Sequence, residues 1–537
     1  MVATDRVLDR MLRAIVAPPA PAGNPPSLAR LAYNRLGFGP RPEAVDFGDD
    51  RGAFVNYVDA QLNYESLDDS ACEAYVSALD RHDSLGLVMP PLDATPAQLK
   101  AYSDAYFARQ NFTPDYEIGY YLTTVTYARA LLSRRQLFQV LADFWTNHFN
   151  TIPTNIFKGW EDTNVIRRYG LGRFRDLLGA DAKSPVMLEY LSNAYNDGSS
   201  PNENYGREVM ELHTLGSHNQ IPGHPWLGRP NYTEDDVRTA ALILSGWTTL
   251  TSAYGEFAFN DTTDYPAHDH SAKQLRLDHD TPTYFFPEGG IEQGEQLLDI
   301  LAGHPSTAYK ICWKLCKRLI SDTPDVFCPG AIRAGMNTWL ASGGDLRAVA
   351  RAILLYVEPG HDFVSSWGQK LKRPFEYFIS ALRALNVGVY PPALSSGDTW
   401  ELWDQQFGLG QPLFYWPAPT GFPDVQRAWW NTNQVFGRWT LGNLLVQRAF
   451  GEQGDDNPPA NADLDALIGN AGSPPTATQV VDRLTGSFFG YSIDPVDRAK
   501  LIAHLGGGDP AAPVTSGHAR LRALMGALLA SPYFQRR

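Results

Sequence analysis

Apolar residues recur at helical spacing along most of the chain. Across positions 116–149 they include Leu122, Val125, Leu131, Leu132, Leu137, Val140, Leu141 and Phe144, enough to set one face of a helix against a core. The same spacing predicts helices over 28–36, with Gly37 and Gly39 as stops, and over 173–178, 186–195, 201–215 and 234–244. Further helices are predicted over 293–301, 307–320, 331–340, 346–356, 370–385, 438–450 and 516–529. The region 247–290 breaks the pattern. Its Thr, Tyr, Asp, Gly and Pro content and short alternating runs such as 256–259 predict a loop-rich insertion holding one hairpin. Pro-rich 17–26 and polar 451–461 read as linkers, and a Pro/Gly-rich stretch over 389–423 follows the 370–385 helix. No strand leads into a glycine-rich phosphate loop and no βαβ alternation appears, which excludes a nucleotide-binding α/β body. The expected fold is mostly α, a large multi-helix body with at most short strands. Three parts are expected: a leading helix and linker over 1–27, a main helical body over 28–450, and a C-terminal helical segment over 451–537 packed on that body.

At 537 residues the chain exceeds the roughly 250–300 at which single cores stop growing, so two cores or one large helical body with long excursions is expected. Its 13 Trp, 25 Tyr and 26 Phe serve a large core and also supply flat platforms for ring-shaped ligands. The net charge of −14, with no basic stripe, excludes a nucleic-acid binder. The densest basic stretch, 310–318, alternates with Ile311, Trp313 and Leu315 and reads as an amphipathic helix with a wet face. No apolar run reaches the ~18–20 residues of a membrane span. Positions 1–16 lack the continuous apolar segment of a secretory signal, as expected of a cytoplasmic chain or of one whose leader has been removed. Cys72, Cys312, Cys316 and Cys328 form no dense disulfide framework. Cys312 and Cys316 lie one helical turn apart, poor geometry for a bridge, whereas a Cys316–Cys328 bridge is conceivable and the redox compartment stays open.

The sharpest local signal for chemistry is the run from Ser200 to Gly216. Ser200 and Glu203 have the spacing of a capping box, Pro201 suits the first helical position, and Gly216 suits a left-handed stop. In a helix of this register Tyr205, Val209 and Leu212 form the packing stripe, with Asn204, Glu208 and Glu211 beside it. Glu208 and Glu211, one turn apart, present two carboxylates to one point. That arrangement serves either a divalent cation or an acid/base pair. His213 adds a ligand or proton carrier, and Asn204 and Arg207 add substrate-binding groups. An Arg207–Glu211 ion pair at i, i+4 is the competing structural reading. His148 ends an apolar helix and is either a core imidazole satisfied by a carbonyl or a base facing the acidic helix. His268 and His270 flank Asp269; in extended backbone they point the same way and suit a shared metal, whereas in a loop they are merely exposed. Lys370 and Lys372, just before a helix start, either hold an anionic substrate group or pair with surplus acids. Trp416, in Phe414-Tyr415-Trp416, is positioned for stacking on a sugar face.

These pieces together resemble a known bacterial family. FWTNHF (144–149), PNENYGREVMELHTLG (201–216), YTEDDVRTAALILSGW (232–247), AHDHSAKQL (267–275), KLKRPFEY (370–377) and GQPLFYWPAPTGFPD (410–424) are similar to the family termed domain of unknown function 1800, as is the opening ARLAYNRLGFGPRPEAV (29–45). The resemblance covers nearly the whole chain. It implies a large, often exported bacterial protein commonly encoded beside a sulfatase-like partner, and it supplies no activity and no catalytic residue.

The functional expectation from the residues is a hydrolase acting on a carbohydrate-like or other polar substrate. Glu208 and Glu211 would serve as metal ligands or acid/base pair, with His148 or His213 as proton carrier. The rival expectation is a non-catalytic helical scaffold or partner-binding protein, in which Arg207, Glu211, Glu203, Lys370 and Lys372 neutralise one another in a buried ion-pair network.

Overall fold

The computed structural model describes residues 25–277, 283–388, 408–450 and 462–537. The predicted leading helix, most of the 17–26 linker, the first part of the 389–423 stretch and the 451–461 linker lie outside the described residues.

Helices dominate the described residues, and the strands form two two-stranded antiparallel sheets. One cluster of buried apolar side chains runs from Leu28 to Phe534, so the helices after position 462 contribute to the same core as those before 450. The predicted 116–149 pattern is realised as two helices, Asp115–Leu132 and Gln136–His148. The break has a local cause. Ser133 Oγ and the Arg134 N–H both donate to the Asp69 carboxylate, at 2.7 Å each, and turn the chain before the second helix starts. The 247–290 region holds two hairpins rather than one, Trp247–Thr248 with Ala258–Phe259 and Lys273–Leu275 with Tyr284–Phe286. Helices Pro96–Gln110, Ala477–Phe489 and Pro495–Gly506 were not anticipated, although Ala477–Phe489 buries Ala477, Val480, Val481, Leu484 and Phe488 on one face at helical spacing. The first two are nonetheless announced by capping boxes, Thr95 with Gln98 and Thr476 with Gln479.

Two elements position the site. The lysine helix, Pro305–Leu319, starts with Pro305 at its first position and buries Ala308, Ile311, Cys312, Leu315, Cys316 and Leu319. Its other face carries Lys310, Trp313, Lys314 and Lys317. This is the expected amphipathic helix, except that Arg318 is buried and its polar side is roofed by other elements. The motif helix begins two residues later than the capping-box reading places it. Asn202 is the cap, accepting the Asn204 N–H at 3.1 Å, and α-helical hydrogen bonding runs over Glu203–Glu208. Val209–His213 then widens to π-helical spacing. The turn closes with the Gly216 N–H on the Met210 carbonyl at 3.2 Å, and Gly216 adopts φ +85 as expected of a helix stop. All four cysteines are free and buried. Cys316 and Cys328 are hydrogen-bonded thiols, and burial pushes the Cys316 thiol well above its usual value.

Candidate functional site

The helix Gln136–His148, the π-turn of the motif helix, the lysine helix and the loop Trp416–Asp424 line a partly open cavity of about 550 Å³. His148, at the end of its helix, is held from both sides. Its Nε2 donates to the His213 carbonyl (3.1 Å), and its Nδ1 lies 2.7 Å from Lys314 Nζ. With Nε2–H committed to a carbonyl, Nδ1 is the acceptor of a Lys314 proton. Burial, with Lys314 close by, holds the imidazole well below its ordinary value, hence neutral. Lys314 is pushed down to about 8 by burial and by the charge of Lys317, which makes it an amine that exchanges protons near neutral pH. Lys310 Nζ donates to the carbonyls of Glu211 and Leu212, the latter at 2.9 Å. It satisfies backbone that the widened turn leaves unpaired. Glu211 lines the cavity and accepts the Tyr232 hydroxyl at 2.7 Å.

The roof is tied down by the TNHFN run. Asn147 donates to the Phe422 carbonyl (3.0 Å) and accepts the Phe422 N–H (2.6 Å), while Asn150 donates to the carbonyls of Trp416 (2.9 Å) and Ala418 (2.8 Å). Gly421 sits at φ +71, and a Cβ there would lie 2.1 Å from the Asn147 carbonyl oxygen, so only glycine fits. Asp424, at the end of the roof, is gripped from behind by Lys370 at 2.9 Å, which also holds Asp322 at 2.7 Å.

The expected site residues are distributed as follows. Glu211, His148 and Trp416 line the cavity. Glu208 stands beside Glu211 outside the cavity wall, half-buried, its carboxyl raised by burial and by the Glu211 charge. His213 does not line the cavity, and its carbonyl accepts from His148 Nε2. Its ring is fully buried, pushed down to about 3, with Nδ1 3.9 Å from Asp181 Oδ2. Asp181 is buried and raised well above the usual carboxyl value. Asn204 is exposed and donates to the Leu191 carbonyl at 3.2 Å. Arg207 pairs with Glu234 in a bidentate contact and lies 4.0 Å from Glu203, so the expected Arg207–Glu211 pair does not form. Lys370 serves Asp424 and Asp322 rather than a ligand, and the Lys372 ammonium is buried 3.6 Å from the Phe534 ring centre. His268 is buried with Nδ1 2.8 Å from the Ser245 carbonyl, whereas His270 is largely exposed with Nδ1 3.0 Å from the Gly289 carbonyl. The two rings pack edge to face, 5.0 Å between centres. Among the described residues no three His, Cys, Asp or Glu side chains converge on a point that would hold a metal ion. Lys310, Lys314, Lys317, Trp313, Asn147, Gly421 and Asp424 were not anticipated at the site. The helical spacing of the three lysines was the available signal, and nothing in the sequence says what roofs that face.

A family model described as a protein of unknown function, DUF1800, matches residues 31–536. The chain belongs to that family. No curated protein and no solved structure matches it. In this DUF1800 chain no described helix is long and apolar enough to cross a membrane.

Proposed function

We propose that the cavity is the active site of a hydrolase acting on a carbohydrate-like, ring-bearing polar substrate. The observation that carries this reading is the Lys314–His148 contact at the wall of a 550 Å³ cavity that also holds Glu211 and Trp416. Cavities of this size accept a small ligand whole, and the indole of Trp416 supplies an apolar face for a ring. Hydrolysis needs a group that protonates the leaving oxygen and a group that takes a proton from water. Lys314, ionising near 8, is the donor, and His148 positions it by accepting one of its protons. Glu211, oriented by Tyr232, is the acceptor. His148 has both nitrogens engaged and acts through Lys314 rather than on substrate.

The test is a panel of chromogenic glycosides, esters and sulfate esters offered to the wild type, Lys314→Met and Glu211→Gln. Loss of about 10²–10⁴-fold in each variant is expected, the usual contribution of a general acid or base. Turnover undiminished in either variant sinks the reading.

A non-catalytic scaffold is the second reading, favoured by one observation. Arg318, Arg373 and Arg537 converge on Glu376 in the core, and Arg318 and Arg373 also reach Asp143. On this reading that ion network, which does not include Arg207, Glu203 or Glu211, fixes the packing of the helices.

A further inference from the structure

We infer that the cavity has an anion subsite formed by Lys314, Lys317 and Trp313, and that its ligand is a ring-shaped molecule carrying a compact oxyanion, a carboxylate or a sulfate. The inference deepens the reading above, since it names the substrate class of the same cavity.

The charged side chains lining the cavity are Lys310, Lys314, Lys317, Glu211 and Asp424. Lys310 is spent on the carbonyls of Glu211 and Leu212. Glu211 accepts from Tyr232, and Asp424 is held from outside the cavity by Lys370. Lys314 and Lys317 are left over. Among the described residues neither ammonium has a carboxylate within 4.0 Å; Lys314 has the His148 ring and Lys317 lies 4.6 Å from the Trp313 ring centre. A chain of net charge −14 has carboxylates to spare, yet the two placed in this cavity, Glu211 and Asp424, are held by other partners.

Leaving these cations clustered has a cost. Burial lowers both ammoniums; the Lys317 charge adds to the effect on Lys314, the Lys370 charge adds to that on Lys317, and Asp424 offsets only part of each. The helix C-terminus favours cations in its last turn, which accounts for Lys317 but reaches Lys314 poorly. An oxyanion bridging the two ammoniums relieves both penalties, and the low-dielectric walls focus the field on it. Trp313 and Trp416 supply flat apolar surface for the ring that carries it.

The groups facing Lys314 are Lys310 and Lys317 on its own helix, His148, Glu211 on the motif helix and Asp424 in the roof. His148 is neutral, so the protonation that changes around pH 8 is that of Lys314. An anion favours the ammonium form. Binding therefore takes up protons near pH 8 and weakens as pH rises through and above it.

Titration calorimetry on the full chain would use galacturonate, glucose 6-sulfate, glucose and inorganic sulfate, each at pH 7 and 9.5. At pH 7 at least one anionic sugar is expected to bind about tenfold or more tightly than glucose and than inorganic sulfate, and to weaken by a similar factor at pH 9.5. Which of the two sugars wins separates carboxylate from sulfate. Lys317→Gln, its fold checked by melting, is expected to abolish the preference over glucose. A preference that survives Lys317→Gln, equal binding of glucose, inorganic sulfate as tight as both sugars, or no heat with any probe each overturns the subsite. Glu211→Gln separates the two readings, because it abolishes hydrolysis under the proposed function yet keeps the anion preference.

Discussion

Lys314 and His148 are 166 positions apart and share one hydrogen bond, and the proposed hydrolysis rests on that contact. If the Lys314 ammonium protonates a leaving group, activity falls as pH rises through about 8, because the folded enzyme then loses the required proton. A pH–rate profile of kcat checks this; a rate flat to pH 10 contradicts it. Behind the cavity, Asp181 and His213 give a stability prediction. His213 ionises at about 3 when folded and about 6.5 when unfolded, so between those values the unfolded chain binds more protons and acid destabilises the fold. Asp181 acts in the opposite sense. Its folded value lies above its unfolded value of about 3.9, so stability is lost as pH rises from 4 toward the folded value, at about 1.4 kcal/mol per unit. Asp181→Asn, neutral in both states, is expected to raise the urea midpoint at pH 8 and to change it little at pH 4. A lower midpoint at pH 8 would mean an ionised Asp181 paired with His213.

Among the elements, the roof loop depends on the end of the His148 helix. Asn147 replaces the pairing that a neighbouring strand would give Phe422, and Gly421 allows the close approach. Asn147→Ala leaves a donor and an acceptor without their partner and is expected to cost about 1–3 kcal/mol. Gly421→Ala adds a left-handed backbone penalty to a clash with backbone and should loosen the loop outright. Limited proteolysis within 416–424 reads both: cleavage faster than in wild type is expected, and an unchanged rate would show the loop held by other contacts. The motif helix shows how far an element can be read from sequence. Its place, its buried Tyr205 and Val209 and its Gly216 stop were legible from spacing alone. The shift to π-helical turns at Val209–His213 was not, because it depends on Lys310, nearly a hundred residues later, capping the freed carbonyls.

For the whole molecule, the decisive feature is the ion network at the centre of the core. Glu376 accepts from Arg318, Arg373 and Arg537, and their charge holds its carboxyl well below the usual range despite burial. Removing one partner of a buried network is far costlier than its net worth, so Glu376→Gln is expected to lose about 3–5 kcal/mol at pH 7. A carboxylate depressed in the folded state stabilises above its unfolded value of about 4.3 and loses that contribution as pH falls through the folded value. The difference between wild type and Glu376→Gln should therefore shrink only below about pH 4. Equilibrium denaturation at pH 7 and pH 3 checks both; equal stabilities at pH 7 would leave the network without structural weight.

The sequence by itself determined the helical class, the amphipathic lysine helix and the helical placing of most of the 144–149 and 201–216 segments, because each depends on residues within a few turns of one another. It also supplied His148, Glu211 and Trp416, which the cavity brings together. Only the tertiary structure decided which charges meet. Arg207 chose Glu234 over its helical neighbour Glu211, Lys370 turned to Asp424, and the lysine face met a roof built from residues a hundred positions away. Charge pairing is long-range and is settled by which elements the core packs side by side, information that local periodicity does not contain.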